Sequence, residues 1–176
     1  MHPVKQSIQT IKAGNKSERR DAFKAIVEFA EKQPQSVLPE IDFFIDLLSA
    51  NENRVQWESM QVITILAPHC KDLLFQKLDL LALVAENGSV ITRDHYVKIL
   101  AILSSENAYK ATTIPLLIDE VLKSPINQLC IYAEATLSVI DKENKPYLKN
   151  AVMQRIEDTA DLPAKRKRLE KVLKKL

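Results

Sequence analysis

Residues 22–29 read AFKAIVEF and place positions 22, 25, 26 and 29 on one helix face, because their spacing is i, i+3, i+4, i+7. The same spacing of mostly apolar residues returns every 37 residues, in SMQVITIL (59–66), YVKILAIL (96–103) and AEATLSVI (133–140). A fifth copy, LEKVLKKL (169–176), arrives one residue early. A fixed period of this length is typical of stacked helical units, each of which is too small to bury its apolar face alone.

Proline, glycine and asparagine residues between the apolar segments predict ten helices, arranged as five antiparallel pairs. Gly14 ends the first helix, and Ser17 is the predicted N-cap of the second. Pro39 fits the first turn of its helix, whereas Pro115 is expected to bend its own. The predicted pairs are 3–13 with 17–31, 35–49 with 53–67, 70–86 with 91–104, 107–123 with 127–141, and 145–158 with 164–176.

These pairs resemble the HEAT-repeat family, in which some first helices carry an early proline and a charged residue opens the second. The residues that open the second helices here are Arg19, Arg54, Arg93 and Gln128. The resemblance covers nearly the whole chain and implies an all-α fold, a right-handed α-α superhelix (α-solenoid) of about five antiparallel helix pairs. It also implies a single domain over 1–176, with an N-terminal helix at 1–14 and a basic capping helix at 164–176. Armadillo repeats, which add a third short helix, are the near alternative.

Composition is that of a folded chain, with 46% hydrophobic and 27% charged residues. The net charge of +2 is uneven, because residues 164–176 carry seven basic groups against Glu170 alone. No apolar run is long enough to span a bilayer, and the N-terminus lacks the apolar core of a signal peptide. We therefore expect a cytoplasmic protein with no membrane partner, in which Cys70 and Cys130 are reduced, partly buried thiols.

The residues that usually carry chemistry are scattered. The chain has three histidines, of which His2 is terminal and His95 is expected to be solvated. His69 is adjacent to Cys70, but no further histidine or cysteine lies at the spacing of a metal site. The di-iron hydroxylases that share the HEAT-like fold use His-Glu pairs, and this chain contains no His-Glu dipeptide. We therefore expect no enzyme activity, no catalytic residue, no cofactor and no metal site.

The resemblance implies that the second helices line a concave, ligand-binding side. Positions opposite the core face then form a row of candidate partner-binding residues: Arg20, Lys24, Trp57, Gln61, Lys98, Ile131, Lys167, Lys171 and Lys174. Trp57, the only tryptophan, and Ile131 are the predicted apolar anchors. Three plainer interpretations stay open: Trp57 packs between neighbouring pairs, Ile131 is an ordinary exposed side chain, and the C-terminal lysines only solvate a capping helix.

The function predicted from this row is a non-catalytic scaffold or adaptor that binds another protein, with an acidic segment favoured by the lysines. The alternative is nucleic-acid binding through phosphate contacts from the basic residues of the same row and of the C-terminal helix. A mildly acidic body and few aromatic residues count against that alternative. Self-association also stays open, because the first helix carries an apolar face of Val4, Ile8 and Ile11.

Overall fold

The computed structural model describes residues 3–176, which form helices joined by short turns and contain no β-strand. The all-α prediction is therefore confirmed for this range; Met1 and His2 lie outside it. The chain divides into two compact units, an N-terminal unit that ends at Tyr96 and a C-terminal unit that begins at Val97. None of the described helices is long and apolar enough to cross a lipid bilayer.

Apart from two predicted helices that are split, the helices of the N-terminal unit lie close to the predicted bounds. They are α1 (Pro3–Ala13), α2 (Lys16–Lys32), α3 (Pro34–Val37), α4 (Ile41–Asp46), α5 (Asn53–Leu66), α6 (Lys71–Gln76), α7 (Leu78–Asn87) and α8 (Val90–Leu103), which continues past the unit boundary. Short 3-10 turns cover Leu38–Glu40, Leu47–Ser49 and Ala67–His69.

Two predicted first helices are each split into shorter helices. Pro39 lies in the 3-10 turn between α3 and α4, because proline lacks the N–H that a continuous α-helix needs. The second split lies at Lys77, between α6 and α7, and no proline or glycine at this position predicts it. Pro115, by contrast, lies inside one continuous helix.

The start of α2 differs from the prediction by two residues. Asn15, not Ser17, is the N-cap: its side chain accepts hydrogen bonds from the backbone N–H groups of Ser17 (2.9 Å) and Glu18 (3.1 Å). The Glu18 carboxylate accepts the N–H of Asn15 in return (2.8 Å), which completes a capping box. Gly14 lies directly before Asn15. A Cβ atom at position 14 would lie 2.6 Å from the carbonyl oxygen of Thr10, so only glycine fits this tight turn without a shift of the backbone.

The core of the N-terminal unit forms where α1 packs on α2, and where α2 and α4 pack on α5. The apolar face of α1 is buried, with Val4, Ile8 and Ile11 at 5% exposure or less. Within this unit Phe44 is fully buried, with its ring centroid 6.5 Å from that of Phe23. The face that left self-association open is therefore covered by the chain itself.

The C-terminal unit contains the remainder of α8 together with α9 (Asn107–Lys123), α10 (Leu129–Val139), α11 (Lys145–Arg155), the 3-10 turn Ile156–Thr159 and α12 (Pro163–Leu173). Helix α9 packs on α10 and α11, and α12 packs on the same two helices. The basic C-terminal helix thus joins the core of this unit through Leu169 and Val172.

The repeated face is buried as its period predicts. Val62, Ile99 and Thr136, which occupy equivalent positions in three copies, are all 0% exposed. Copies two and three are fully buried at this face, whereas the first, fourth and fifth copies are covered less completely, since Phe29, Ile140 and Leu173 are half-buried. The helical faces are confirmed, whereas the superhelix, its hand and the HEAT-type family stay predictions.

A side chain from α11 holds the C-terminal end of α9. Arg155 donates from Nη1 to the carbonyl oxygens of Val121 (3.2 Å) and Leu122, and from Nη2 to that of Ser124 (3.0 Å). Its Nε donates to Asp158 Oδ2 at 2.6 Å. The last carbonyls of a helix have no partner within the helix, so this guanidinium satisfies groups that would otherwise need water.

Candidate functional site

Four of the nine predicted partner-binding residues line one cleft between α2 and α5. These are Arg20, Lys24, Trp57 and Gln61. The cleft, called here the Trp57 cleft, has a volume of about 430 Å³ and is lined by Arg20, Asp21, Phe23, Lys24, Val27, Arg54, Trp57, Glu58 and Gln61.

The repeat explains why these side chains meet. Helices α2 and α5 are second helices of successive pairs and pack against each other. The 37-residue period makes Arg20 equivalent to Trp57 and Lys24 equivalent to Gln61. Positions four apart on a helix share a face, so each helix contributes neighbouring side chains to the same groove.

Trp57 is half-buried within this groove and held by residues of its own helix. The guanidinium carbon of Arg54 lies 5.7 Å from the centroid of the indole ring, a cation–π distance. Arg54 Nε also donates to Glu58 Oε1 at 3.0 Å. Trp57 therefore lies in the groove between α2 and α5, where it lines the cleft and is half-buried.

The acidic residue Glu58 is only 6% exposed. Burial raises the pKa of its carboxyl group above the ordinary value, and the hydrogen bond from Arg54, followed by the charges of Arg54, Arg19 and Arg20, opposes that shift. The buried carboxylate is thus compensated inside the protein, and it presents little negative charge to the cleft.

A smaller cleft of about 180 Å³ adjoins the Trp57 cleft and shares three of its lining residues: Arg20, Arg54 and Glu58. Its other charged residues are Lys16, Arg19 and Glu52, and Arg19 Nη2 lies 3.1 Å from Glu52 Oε1. The two clefts together contain five basic and three acidic side chains, so this side of the N-terminal unit is electropositive.

The other five predicted residues belong to the C-terminal unit and do not line the Trp57 cleft. Ile131 on α10 is 47% exposed. Lys98 on α8 and the lysines at 167, 171 and 174 are also exposed. Lys174 comes directly after the last residue of α12.

The arginines of α12 are engaged in ion pairs. Arg168 donates from Nε and Nη2 to the two carboxylate oxygens of Glu134 on α10, at 2.9 and 2.6 Å. Arg166 Nη2 lies 3.0 Å from Glu157 Oε1. These pairs link α12 to its neighbours, so part of the basic character of this helix serves its packing.

The pair between Glu134 and Arg168 makes a pH-dependent contribution to stability. The hydrogen bond from Arg168 lowers the pKa of Glu134 below its ordinary value of 4.5, so the contribution is present above that pH and is lost as the pH falls through the lowered pKa. We expect Glu134→Gln to lower the free energy of unfolding by only about 0.5 kcal/mol at pH 7, because solvent screens the exposed pair. At about pH 2 the substitution should leave the free energy of unfolding unchanged.

Urea denaturation of both proteins across this pH range measures the difference. The control is Glu143→Gln, which removes an exposed carboxylate that forms no ion pair among the described residues and should leave stability unchanged throughout. A cost for Glu134→Gln that is independent of pH would contradict the assignment.

Sequence reasoning missed five residues of the Trp57 cleft, which are Asp21, Phe23, Val27, Arg54 and Glu58. Arg54 and Glu58 are spaced i, i+4, a charge pattern that is readable on a helix but that does not reveal a neighbouring cleft. Phe23 is 1% exposed and lines the cleft although it belongs to the core. His95, expected to be solvated, is instead half-buried, with Nδ1 3.2 Å from Thr64 Oγ1.

Both cysteines are free, as expected, and are poorly suited to nucleophilic chemistry. Burial raises the pKa of the half-buried Cys70 thiol to about 11 and raises that of the buried Cys130 as well. Neither thiol is appreciably ionised at neutral pH. Within residues 3–176, no three histidine, cysteine, aspartate or glutamate side chains are grouped closely enough to hold a metal ion.

Comparison with known proteins assigns no family. No protein-family model matches the chain, and no curated protein sequence matches it significantly. The interpretation of this site therefore depends on the geometry of the chain itself.

Proposed function

We propose that this protein is a non-catalytic, HEAT-type helical scaffold that binds a segment of another protein in the Trp57 cleft. The observation that carries the proposal is the convergence of Arg20, Lys24, Trp57 and Gln61 on one cleft. Two neighbouring helices contribute these residues at equivalent positions of a repeat.

The composition of the cleft supports a protein ligand. Tryptophan and arginine are enriched among the residues that dominate binding energy at protein interfaces, and Trp57 lies here beside Arg54 and Arg20. Val27 adds an aliphatic side chain to the same wall. The volume of about 430 Å³ lies near the lower end of the range of about 300–1,000 Å³ that is typical of ligand pockets, so the cleft holds only a small part of a partner.

The test is selection of binders from a random heptapeptide library, followed by affinity measurements on Trp57→Ala. We expect at least a tenfold loss of affinity for the selected peptides, because truncating a central interface tryptophan commonly costs about 2 kcal/mol or more. The control is Tyr147→Ala, which removes an aromatic ring that is 64% exposed on α11 and should leave affinity unchanged. If no selected peptide depends on Trp57, the proposal is wrong.

Nucleic-acid binding remains a second candidate because the lysines at 167, 171 and 174 are exposed and form no ion pair among the described residues. A titration with duplex DNA and with single-stranded RNA at increasing salt tests it. Phosphate binding predicts affinity that falls steeply with salt, by about 0.9 logarithmic units per contact for each tenfold increase. Binding that is absent at low salt eliminates this candidate.

A further inference from the structure

We infer that the Trp57 cleft recognises one carboxylate side chain next to an aliphatic side chain, within a short extended segment of the partner. This inference rests on the proposed function and adds the chemistry of the segment. It follows from the hydrogen-bond donors, the charges and the length of the cleft.

Three polar groups of the cleft have no partner within residues 3–176. They are the ammonium group of Lys24, the amide of Gln61 and the indole N–H of Trp57, none of which makes a hydrogen bond or ion pair in this range. All three contain N–H donors, and only the Gln61 amide also contains an acceptor. A carboxylate accepts several hydrogen bonds and donates none, so it complements this set.

The other charges of the cleft are paired internally. Arg54 is bound to Glu58 at 3.0 Å, and Arg20 Nε lies 3.4 Å from Asp21 Oδ1. Lys24 is therefore the one uncompensated cation among the residues lining this cleft. One positive charge matches a single carboxylate, whereas a phosphate dianion is normally bound by a cluster of arginines.

The apolar part of the cleft lies beside these donors. Val27 and the exposed part of the Trp57 ring line the wall, and the nearly buried Phe23 contributes to it. An aliphatic side chain of the partner gains free energy by covering this surface, in proportion to the apolar area removed from water. The segment therefore needs an apolar residue close to its acidic residue.

The length of the cleft limits how much of the partner it can hold. From Arg20 to Val27 the axis of α2 rises about 10 Å, at about 1.5 Å per residue. An extended chain advances about 3.3 Å per residue, so about three residues span this distance. Alternate side chains of an extended chain point to the same face, so an acidic residue and a leucine separated by one residue both reach the cleft within this span.

The tetrapeptides acetyl-Asp-Gly-Leu-Gly-amide and acetyl-Asn-Gly-Leu-Gly-amide, in which the first and third side chains share a face when extended, test the inference directly. Trp57 is the only tryptophan, so its fluorescence reports on the cleft without any added label. We expect the aspartyl peptide to change the fluorescence of Trp57 in a saturable way, with a dissociation constant below about 10 mM. The asparaginyl peptide should bind at least tenfold more weakly.

Lys24→Gln should reduce binding of the aspartyl peptide to the level of the asparaginyl one. Lys32→Gln is the matched control, because Lys32 is an exposed lysine of the same helix that does not line the cleft. Equal binding of the two tetrapeptides, or no saturable response to the aspartyl one, overturns the inference.

The heptapeptide selection separates this failure from failure of the proposed function. Selected peptides that depend on Trp57 but lack acidic residues would overturn the inference and leave the protein-binding scaffold intact. Absence of any Trp57-dependent peptide would overturn both.

Discussion

Phe44→Ala is expected to lower the free energy of unfolding by about 4 kcal/mol, because it removes a fully buried ring and leaves a cavity. The Phe44 ring meets the Phe43 ring edge to face, with centroids 5.2 Å apart, and lies 6.5 Å from that of Phe23. Aromatic pairs of this kind add to the free energy gained from burial alone. Urea denaturation followed by circular dichroism measures the loss.

Phe43→Ala is the matched control on the same helix. Phe43 is only half-buried, and Lys12 Nζ lies 5.1 Å above its ring. We expect a cost of about 1–2 kcal/mol, because the ring already has access to water and its cation–π contact is weak at such a site. Equal losses for the two variants would contradict the packing described for Phe44.

Arg155→Met is expected to destabilise the C-terminal unit by about 3 kcal/mol. Methionine retains most of the aliphatic length but removes the donors to three carbonyl oxygens at the end of α9 and to Asp158. The side chain of Arg155 is only 19% exposed, so water replaces these bonds poorly. Thermal and urea denaturation give the change in stability.

Arg166→Met is the control for this prediction. Arg166 lies on α12 and pairs with Glu157 and Glu170 at a more exposed position. Exposed ion pairs contribute little, so we expect a much smaller loss of stability than for Arg155→Met. A loss at Arg166 as large as that at Arg155 would show that the carbonyl contacts do not account for the effect.

Both large effects arise from contacts that the sequence does not reveal. Phe44 lies one turn from Ile41 and shares its apolar face, so burial was readable from spacing, but its ring contact with Phe23 was not. Arg155 reaches carbonyls more than thirty residues earlier in the chain. A backbone carbonyl has no signature in sequence, so nothing marks this arginine as a helix cap.

Part of the Trp57 cleft could be predicted from the sequence, because helical spacing shows which side chains share a face. Helical spacing and the 37-residue period identified Arg20, Lys24, Trp57 and Gln61, because equivalent positions on successive second helices face the same way. The same argument assigned Lys98 and Ile131 to one row with them, and those residues belong to the other unit. Periodicity specifies direction around a helix axis but not which groove is deep enough to bind a ligand.

Amino-acid order alone determined the helical character of this chain, the approximate ends of its helices and the face that each one buries. These properties depend on spacing and on turn-forming residues within a few positions of each other, which are local in sequence. Tertiary structure alone decided the split at Lys77, the capping of α9 by Arg155 and the burial of Glu58 beside Trp57. Each of these depends on burial or on a partner brought close by folding, and distance in space cannot be read from distance along the chain.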